Sequence, residues 1–156
     1  MDVFTIEAIV ENLNIKPIQF EECLQLWNVL WANRVSPIEP TSAMMLTDKP
    51  TRKYSMDIGE PTFLGAFVGN ELVGVNSMHY IDGTTRSRGL YVKPEYRGNG
   101  TGVELLKRTV DLSADLPCWS YPKKEALNTY LRAGFKQVSD FFWDETEKKW
   151  NCYVSS

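Results

Sequence analysis

Three apolar runs separated by turn residues limit the fold of this chain more than any other feature. Residues 62–68 (TFLGAFV) and 72–81 (LVGVNSMHYI) are apolar and are joined by residues 69–71 (GNE). The second run leads into residues 82–83 (DG), a pair that readily adopts the positive φ angles of a type I′ turn. A third strand is expected after this turn. Residues 62–93 are therefore predicted to form a three-stranded antiparallel meander.

Helical and strand patterns on both sides of the meander define the fold class. Apolar residues at helical spacing predict an amphipathic helix from Phe20 to Trp31. Further helices are predicted at 101–113, at 123–133 and near 41–46, and further strands at 13–19, 117–121, 135–143 and 149–155. Residues 3–10 fit either a short strand or a helical turn. Because one helix crosses between two strands, part of the sheet is parallel. The chain is thus predicted to be α+β, with a mixed, mostly antiparallel sheet and about four helices.

Length and composition predict a single domain over residues 1–156. Of the 156 residues, 43% are apolar, which suffices for a buried core without a disulfide or a metal ion. The net charge of −3 offers no basic face, so a nucleic-acid partner is not expected. The longest apolar runs are far shorter than the roughly 20 residues of a membrane span, so no membrane partner is expected either.

The cysteines and the N-terminal residues predict a cytoplasmic protein. Cys23, Cys118 and Cys152 are far apart in the chain and are accompanied by a single histidine. Reduced thiols are therefore expected, and no metal site. The first residues are acidic and lack the positive segment of a secretory signal.

The residues most typical of a binding site form a glycine-rich loop at 90–102 (LYVKPEYRGNGTG). A predicted strand runs into three alternating glycines, Gly98, Gly100 and Gly102, and the loop opens directly onto a helix. Glycines let an anion approach the backbone N–H groups, and a helix N-terminus adds a partial positive charge. Arg97 adds a full charge, so the loop could hold a pyrophosphate. The spacing fits neither a P-loop nor a dinucleotide-binding fingerprint, and glycine-rich turns of this kind are often purely structural.

Two motifs resemble those of the GCN5-related N-acetyltransferases, the GNAT superfamily. The pattern R-x-x-G-x-G at residues 97–102 is similar to that family's acetyl-CoA motif, [QR]-x-x-G-x-[GA]. Residues 126–135 (ALNTYLRAGF) are similar to its second motif, A-x-x-x-Y-x-x-x-G-F. The regions concerned span about 84–113 and 117–135, and the order of predicted elements agrees with the family as well. The resemblance implies the acyl-CoA N-acyltransferase fold, whose central sheet is splayed in the middle.

The resemblance also implies roles for individual residues. Acetyl-CoA would be held by Leu90, Tyr91, Val92, Arg97, Gly98, Asn99, Gly100, Thr101 and Gly102. Tyr130 matches the family tyrosine that protonates the departing thiolate, a role suited to a hydroxyl donor. Lys123 stands where many members carry an asparagine that holds the cofactor. It could contact the cofactor's phosphates, or it could be a solvated residue at a helix start.

The general base is not assigned by the sequence. Many family members carry a glutamate on the strand before the loop, whereas residues 86–88 here are Arg-Ser-Arg. A water relay to a backbone carbonyl, Asp82, His79 or Glu95 could serve instead. As a lone histidine in an apolar strand, His79 is more typical of a packed core residue than of a catalyst.

Arg86 and Arg88 suggest the charge of the acceptor. Two residues two positions apart on a strand point to the same face. If that face lines the acceptor groove, the arginines favour a carboxylate or phosphate on the acceptor. The alternative is a pair of surface arginines that form ion pairs with acids on a neighbouring strand.

The expected activity is transfer of an acetyl group from acetyl-CoA to a primary amine by direct attack in a ternary complex. The backbone N–H of Val92, or of a neighbour on that strand, would stabilise the developing oxyanion. The acceptor would be a small-molecule amine that could carry a carboxylate. The sequence leaves open whether the protein forms a homodimer. The alternative is a non-catalytic GNAT-fold module that binds CoA or a protein partner. The retained Tyr130 favours the enzyme, whereas the missing strand carboxylate favours the module.

Overall fold

The computed structural model describes residues 12–33, 38, 61–145 and 147–156. The strands are β1 (Leu13–Ile18), β2 (Thr62–Val68), β3 (Glu71–Ile81), β4 (Thr84–Val92), β5 (Cys118–Ser120), β6 (Lys136–Gln137), β7 (Phe142–Asp144), β8 (Lys149–Asn151) and β9 (Val154–Ser155). The α-helices are α1 (Phe20–Leu30), α2 (Thr101–Leu112) and α3 (Leu127–Arg132), with 3-10 turns at Pro94–Tyr96 and Lys124–Ala126. The segments predicted at 3–10 and near 41–46 lie outside the described residues.

A seven-stranded sheet carries the fold, with the strand order β1-β2-β3-β4-β5-β9-β6. Every neighbouring pair in it is antiparallel except β4 and β5, which are parallel. The predicted meander is confirmed as β2, β3 and β4, because its turn residues do adopt positive φ at Gly69, Asp82 and Gly83. The α+β class with a mixed, mostly antiparallel sheet is likewise confirmed.

The sheet opens between its two parallel strands. The β4–β5 ladder joins residues 85–86 to residues 118–119. One further bond, from the Ser120 hydroxyl to the Ser87 carbonyl at 2.7 Å, closes the paired part. β4 continues to Val92, whereas β5 ends at Ser120, so the two strands separate beyond this point. The predicted splay is present, and it leaves a gap in the middle of the sheet.

Helices α1 and α2 cover opposite faces of the sheet. On the α2 face, the Asn76 side-chain amide donates to the hydroxyls of Ser87 at 2.8 Å and Thr109 at 2.9 Å. On the α1 face, the Trp27 indole donates to the Gly89 carbonyl at 2.7 Å. A Cβ at Gly89 would lie 2.8 Å from the Trp27 ring, so only glycine allows this approach. Both helices are thereby fixed against β4, the strand that borders the gap.

The closing hairpin differs from the prediction. The strands predicted at 135–143 and 149–155 are each broken in two, giving β6 and β7 in the first and β8 and β9 in the second. At the break, the Tyr153 N–H donates to the Ser139 hydroxyl at 2.8 Å instead of to a backbone carbonyl. β7 and β8 therefore form a separate two-stranded sheet. The alternation of apolar and polar residues in the sequence does not indicate that a serine hydroxyl replaces a backbone carbonyl as the acceptor.

Within the described ranges, no helix has the length and apolar character that crossing a membrane requires.

Candidate active site

Two adjoining cavities occupy the region where the sheet opens. The larger one, about 530 Å³, lies against the glycine-rich loop and is called the loop cavity here. The smaller one, about 150 Å³, is lined by Tyr130, Arg86 and Arg88 and is called the tyrosine cavity. The residues that line both are Leu30, Leu90, Lys123 and Ala126. Because they share these walls, a long ligand could extend from one cavity into the other.

The loop presents backbone donors to the loop cavity. Gly98 and Gly100 have φ angles of +85° and +90°, in the left-handed region that favours glycine. A Cβ at either position would meet no atom within 4 Å, so the space beside the backbone is open. The first intrahelical bond of α2 runs from the Glu104 N–H to the Gly100 carbonyl at 2.9 Å. The Thr101 N–H donates to the Asn99 Oδ1 at 3.3 Å, whereas the N–H groups of Gly102 and Val103 have no intrahelical acceptor and can bind an anion.

Arg97 and Asn99 hold the loop in shape. The Arg97 Nε donates to the Val92 carbonyl at 2.7 Å, and its guanidinium lies 5.2 Å from the centre of the Tyr91 ring. The Asn99 Oδ1 accepts a bond of 2.8 Å from the Thr101 hydroxyl. Asn99 is buried and does not line the loop cavity, whereas Arg97 and Thr101 do. The Asn99 side chain thus shapes the turn, and the loop's charge comes from Arg97.

Gly102 has a packing role that its place in the motif does not reveal. A Cβ at Gly102 would lie 3.3 Å from the Thr129 Cγ2 on α3. The glycine therefore lets α2 and α3 approach each other beside the loop cavity, which both residues line. A substitution at Gly102 would disturb helix packing as well as any bound anion.

Val92 directs its N–H toward the gap. The Lys93 N–H donates to the Val73 carbonyl at 2.8 Å, across the β3–β4 ladder. Alternate residues of a strand direct their backbone groups to opposite sides, so the Val92 N–H points away from β3. It faces the side on which β4 is no longer paired with β5, and Val92 lines the loop cavity there.

Tyr130 has a buried side chain. Its side chain is 4% exposed, and the Phe135 ring packs edge-on against it with the ring centres 5.4 Å apart. The Ser120 hydroxyl lies 3.4 Å from the Tyr130 Oη, while it donates its own hydrogen to Ser87 at 2.7 Å. Burial raises the pKa of Tyr130 above its ordinary value, since a phenolate is poorly solvated there. Tyr130 therefore keeps its proton at neutral pH.

Arg86 and Arg88 both line the tyrosine cavity, together with Tyr130. Arg86 is 4% exposed, and its guanidinium lies 5.0 Å from the centre of the Trp119 ring. The Arg88 guanidinium lies 5.7 Å from the Trp31 ring. The alternative of two surface arginines does not fit the burial of Arg86. The structure places both side chains on one face, as their spacing predicts.

The base candidates from the sequence lie away from the cavities. Asp82 and Glu95 are exposed and line neither cavity. His79 is 1% exposed, and neither of its ring nitrogens has a hydrogen-bond partner in the described part of the chain. Burial, together with the charges of Arg86 and Arg88, lowers the pKa of His79 to about 3. His79 is thus a core residue with a neutral ring.

The buried His79 predicts a loss of stability in acid. Its pKa falls from an ordinary 6.5 to about 3 on folding, so between these values the unfolded chain binds the proton and the folded chain does not. The neutral His79 ring therefore costs the folded state nothing above pH 6.5. The free energy of unfolding decreases as the pH falls from 6.5 toward 3. From pH 7.5 to pH 5 we expect His79 to remove about 2 kcal/mol from the free energy of unfolding. Urea unfolding at both pH values, compared with His79→Leu, measures this. An equal pH dependence in the variant would contradict the prediction.

Some cavity residues were missed by the sequence reasoning. Arg132 lines the loop cavity together with Lys123, and Glu147 and Lys149 line the tyrosine cavity. Arg132 lies three residues after Thr129, which also lines the loop cavity, so helical spacing is the signal that relates these two residues. Glu147 carries no such signal, since it lies in a polar turn of the hairpin. No group of three His, Cys, Asp or Glu side chains in the described ranges could hold a metal ion.

Comparison with known proteins identifies the family. The Acetyltransferase (GNAT) domain model matches residues 60–137. The thialysine N-epsilon-acetyltransferase of Sus scrofa is 28% identical over an alignment of 83 positions, which covers 46% of this chain and 49% of that protein. The match thus spans about half the length of this relative.

Solved structures share the fold. Escherichia coli ElaA superposes with a TM-score of 0.64 at 14% identity, over 92% of this chain and 98% of that one. The PaiA N-acetyltransferase of Thermoplasma acidophilum, solved in complex with coenzyme A, gives 0.57 at 20% identity, over 90% and 97%. The family match covers half of the chain, including the glycine-rich loop, Tyr130 and both arginines. The chain belongs to the GNAT family of acetyltransferases.

Proposed function

We propose that the chain transfers an acetyl group from acetyl-CoA to a primary amine, by direct attack of the amine within a ternary complex. One observation carries this proposal. The loop cavity, with its backbone donors at the start of α2, adjoins the cavity that contains Tyr130, and the two share a wall. A pyrophosphate bound at one end and a thioester at the other fit such a pair of cavities.

Acetyl-CoA supplies the activated acetyl group, and the chain binds and orients it. The open space beside Gly98 and Gly100 fits a pyrophosphate against the backbone of the loop. Arg97, Lys123 and Arg132 line the same cavity and add positive charge for the phosphates. The relative from Thermoplasma acidophilum was solved with coenzyme A, which supports this choice of substrate.

Tyr130 and Val92 would serve the reaction itself. Tyr130 keeps its proton at neutral pH and can give it to the departing sulfur. The Val92 N–H, directed into the gap, can donate to the carbonyl oxygen as it gains negative charge. The three cysteines are buried, and none of them lines either cavity. Direct transfer to the amine is therefore favoured over an acetylated cysteine.

The basic side chains of the tyrosine cavity support an acceptor that carries a carboxylate. Arg86 and Arg88 line this cavity from one strand, and arginine binds carboxylates through two parallel hydrogen bonds. The relative from Sus scrofa is named for acetylation of thialysine at the ε-nitrogen, which supports an amine acceptor of small size.

Lysine and cadaverine, which differ only in the carboxylate, test this specificity. Removal of the guanidinium in Arg88→Ala is expected to raise the KM for lysine by roughly 10- to 100-fold, because a charge-assisted hydrogen bond is worth about 1.5–3 kcal/mol. The KM for cadaverine should change little, and kcat should change less than KM in both cases. The same comparison applies to Arg86→Ala. Efficient acetylation of spermine that is insensitive to both substitutions would contradict the role of the arginines.

A non-catalytic module that binds CoA is the second candidate, since β4 lacks the glutamate of many relatives. The two candidates separate in one experiment. Acetyl-CoA should raise the melting temperature in both cases, because a ligand that binds only the folded chain stabilises it. Release of the CoA thiol on addition of amines is expected for the enzyme alone. Stabilisation without thiol release across a panel of amino acids, diamines and polyamines would favour the module.

A further inference from the structure

We propose that Glu147, in the turn between β7 and β8, is the catalytic residue that binds the acceptor's ammonium group and removes its proton. This inference rests on the proposed function and supplies the base that the sequence leaves unassigned. The tyrosine cavity would then bind an amino-carboxylate with its two charges on two different elements. Arg86 and Arg88 on β4 take the carboxylate, and Glu147 on the hairpin takes the ammonium.

Charge in the tyrosine cavity is the first observation. Arg86, Arg88, Lys123 and Lys149 make the lining strongly basic. Among the described residues that line this cavity, Glu147 carries the one carboxylate. An ammonium group that enters this basic site gains most from the one negative side chain. Glu147 lines the same cavity as Tyr130, the proposed proton donor, so base and acid would belong to a single site.

Hydrogen bonds connect Glu147 to Tyr121, another residue of the tyrosine cavity. The Tyr121 hydroxyl donates to the Asp144 Oδ2 at 2.6 Å, and the Glu147 backbone N–H donates to the other oxygen of the same carboxylate at 2.9 Å. Burial raises the pKa of Tyr121 most, followed by its bond to Asp144 and by the negative charges of Asp144 and Glu147. Glu147 thus lies beside the wall of the cavity that Tyr121 forms.

Asp144 does not compete for the role of base. It is 5% exposed, and both of its oxygens are engaged. The Oδ2 accepts from Tyr121, and the Oδ1 accepts from the Glu147 backbone N–H at 2.9 Å. Asp144 therefore builds the turn that presents Glu147.

The hairpin is also fixed to the wall of the cavity. The Asn151 side-chain amide donates to the Tyr121 carbonyl at 3.2 Å, and the Cys152 N–H donates to the Pro122 carbonyl at 3.2 Å. These bonds join the end of β8 to the chain that follows β5. A carboxylate on a turn anchored in this way has a defined position relative to Tyr130.

The proposed step conserves protons and electrons. An N–H bond of the ammonium breaks, its electron pair stays on nitrogen, and the proton passes to the Glu147 carboxylate. The free amine then forms the C–N bond at the carbonyl carbon, and the C=O electron pair moves onto oxygen. When that pair returns, the C–S bond breaks and Tyr130 gives its proton to sulfur. The nitrogen loses a second proton when the amide forms, and this proton returns the Tyr130 hydroxyl to its protonated form. The proton on Glu147 leaves to solvent, so one proton is released in each turnover.

Glu147→Gln tests the proposal, with Glu145→Gln as a matched control in the same turn. Glu145 is exposed and pairs with Lys148 at 3.3 Å. With the best acceptor from a panel of amino acids and diamines, Glu147→Gln is expected to lower kcat/KM at pH 7 by roughly 100-fold, within the usual range for loss of a general base. The loss should shrink toward pH 10, where a larger fraction of the amine is already neutral. Glu147→Asp should recover part of the rate, and Glu145→Gln should match the wild type.

The outcomes separate this inference from the proposed function. A shift in melting temperature with acetyl-CoA that equals the wild type shows that Glu147→Gln is folded and binds its substrate. Equal rates for Glu147→Gln and wild type from pH 7 to pH 10 would overturn the role of Glu147 and leave the acetyltransferase intact. A loss that is the same at every pH would also overturn the assignment as a base. Absence of thiol release by the wild type with every amine would instead contradict the proposed function itself.

Discussion

Replacement of Tyr130 by phenylalanine is expected to lower kcat by roughly 100- to 1000-fold, within the usual contribution of a general acid to such a step. The ring is buried and packs edge-on against Phe135, and phenylalanine keeps this contact. The affinity for acetyl-CoA and the melting temperature should therefore stay close to wild type. The loss is expected because, in the proposed reaction, the hydroxyl gives its proton to the departing sulfur. Steady-state thiol release together with calorimetric binding of acetyl-CoA measures both quantities.

The pKa of Tyr130 adds a second readout. Because burial raises this pKa above its ordinary value, the protonated range extends further into the alkaline region. The wild type should show no decline in kcat from Tyr130 up to about pH 10. Tyr80→Phe, at an exposed position on β3, is the control and should behave as the wild type. An unchanged kcat in Tyr130→Phe would mean that water protonates the sulfur and that the hydroxyl has no part in the reaction.

Gly100→Asp is expected to weaken acetyl-CoA binding at least tenfold, equivalent to about 1.4 kcal/mol. The new carboxylate would project into the open space beside the loop, where the proposal places the pyrophosphate. The φ angle of +90° at Gly100 also disfavours any side chain, and Gly100→Ala measures that effect without the charge. Gly102 is a poorer choice, because a Cβ there would press on Thr129.

Gly69→Asp is the matched control for this substitution. Gly69 has a φ angle of +61° in the β2–β3 turn, and a Cβ there would meet no atom within 4 Å. The control therefore introduces a similar strain and the same charge outside both cavities. Calorimetry should give a wild-type dissociation constant for Gly69→Asp and a weakened one for Gly100→Asp. An unchanged constant in folded Gly100→Asp would refute the placement of the pyrophosphate.

The parts of the fold that follow from local chemistry could be predicted from the sequence. The meander depends on turn residues that adopt positive φ, such as Asp82 and Gly83, and it is confirmed. The glycine-rich loop likewise depends on residues adjacent in the chain. The broken hairpin could not be predicted, because the Ser139 hydroxyl replaces a backbone acceptor for Tyr153, 14 residues away. This replacement of a backbone acceptor by a side-chain hydroxyl leaves the apolar pattern of the sequence unchanged.

The candidate site shows the same division. The spacing of Arg86 and Arg88 predicts a shared face, but not the burial of Arg86 beside Trp119, which depends on pairing between β4 and β5. Glu147 lines the tyrosine cavity because the hairpin is bonded to the residues that follow β5. The tertiary contact is not visible in the sequence, where Glu147 is one acidic residue in a polar turn.

Direct detection of the acetyl group tests the central claim. The protein is incubated with acetyl-CoA and lysine, and mass spectra of the amine and of the protein are recorded. The account predicts acetylated lysine, free CoA in equal amount and an unmodified protein, because the amine attacks the thioester directly. Acetylated protein in the absence of amine would contradict direct transfer. Unchanged acetyl-CoA with every amine tested, in a protein that binds it, would contradict the assignment as an acetyltransferase enzyme.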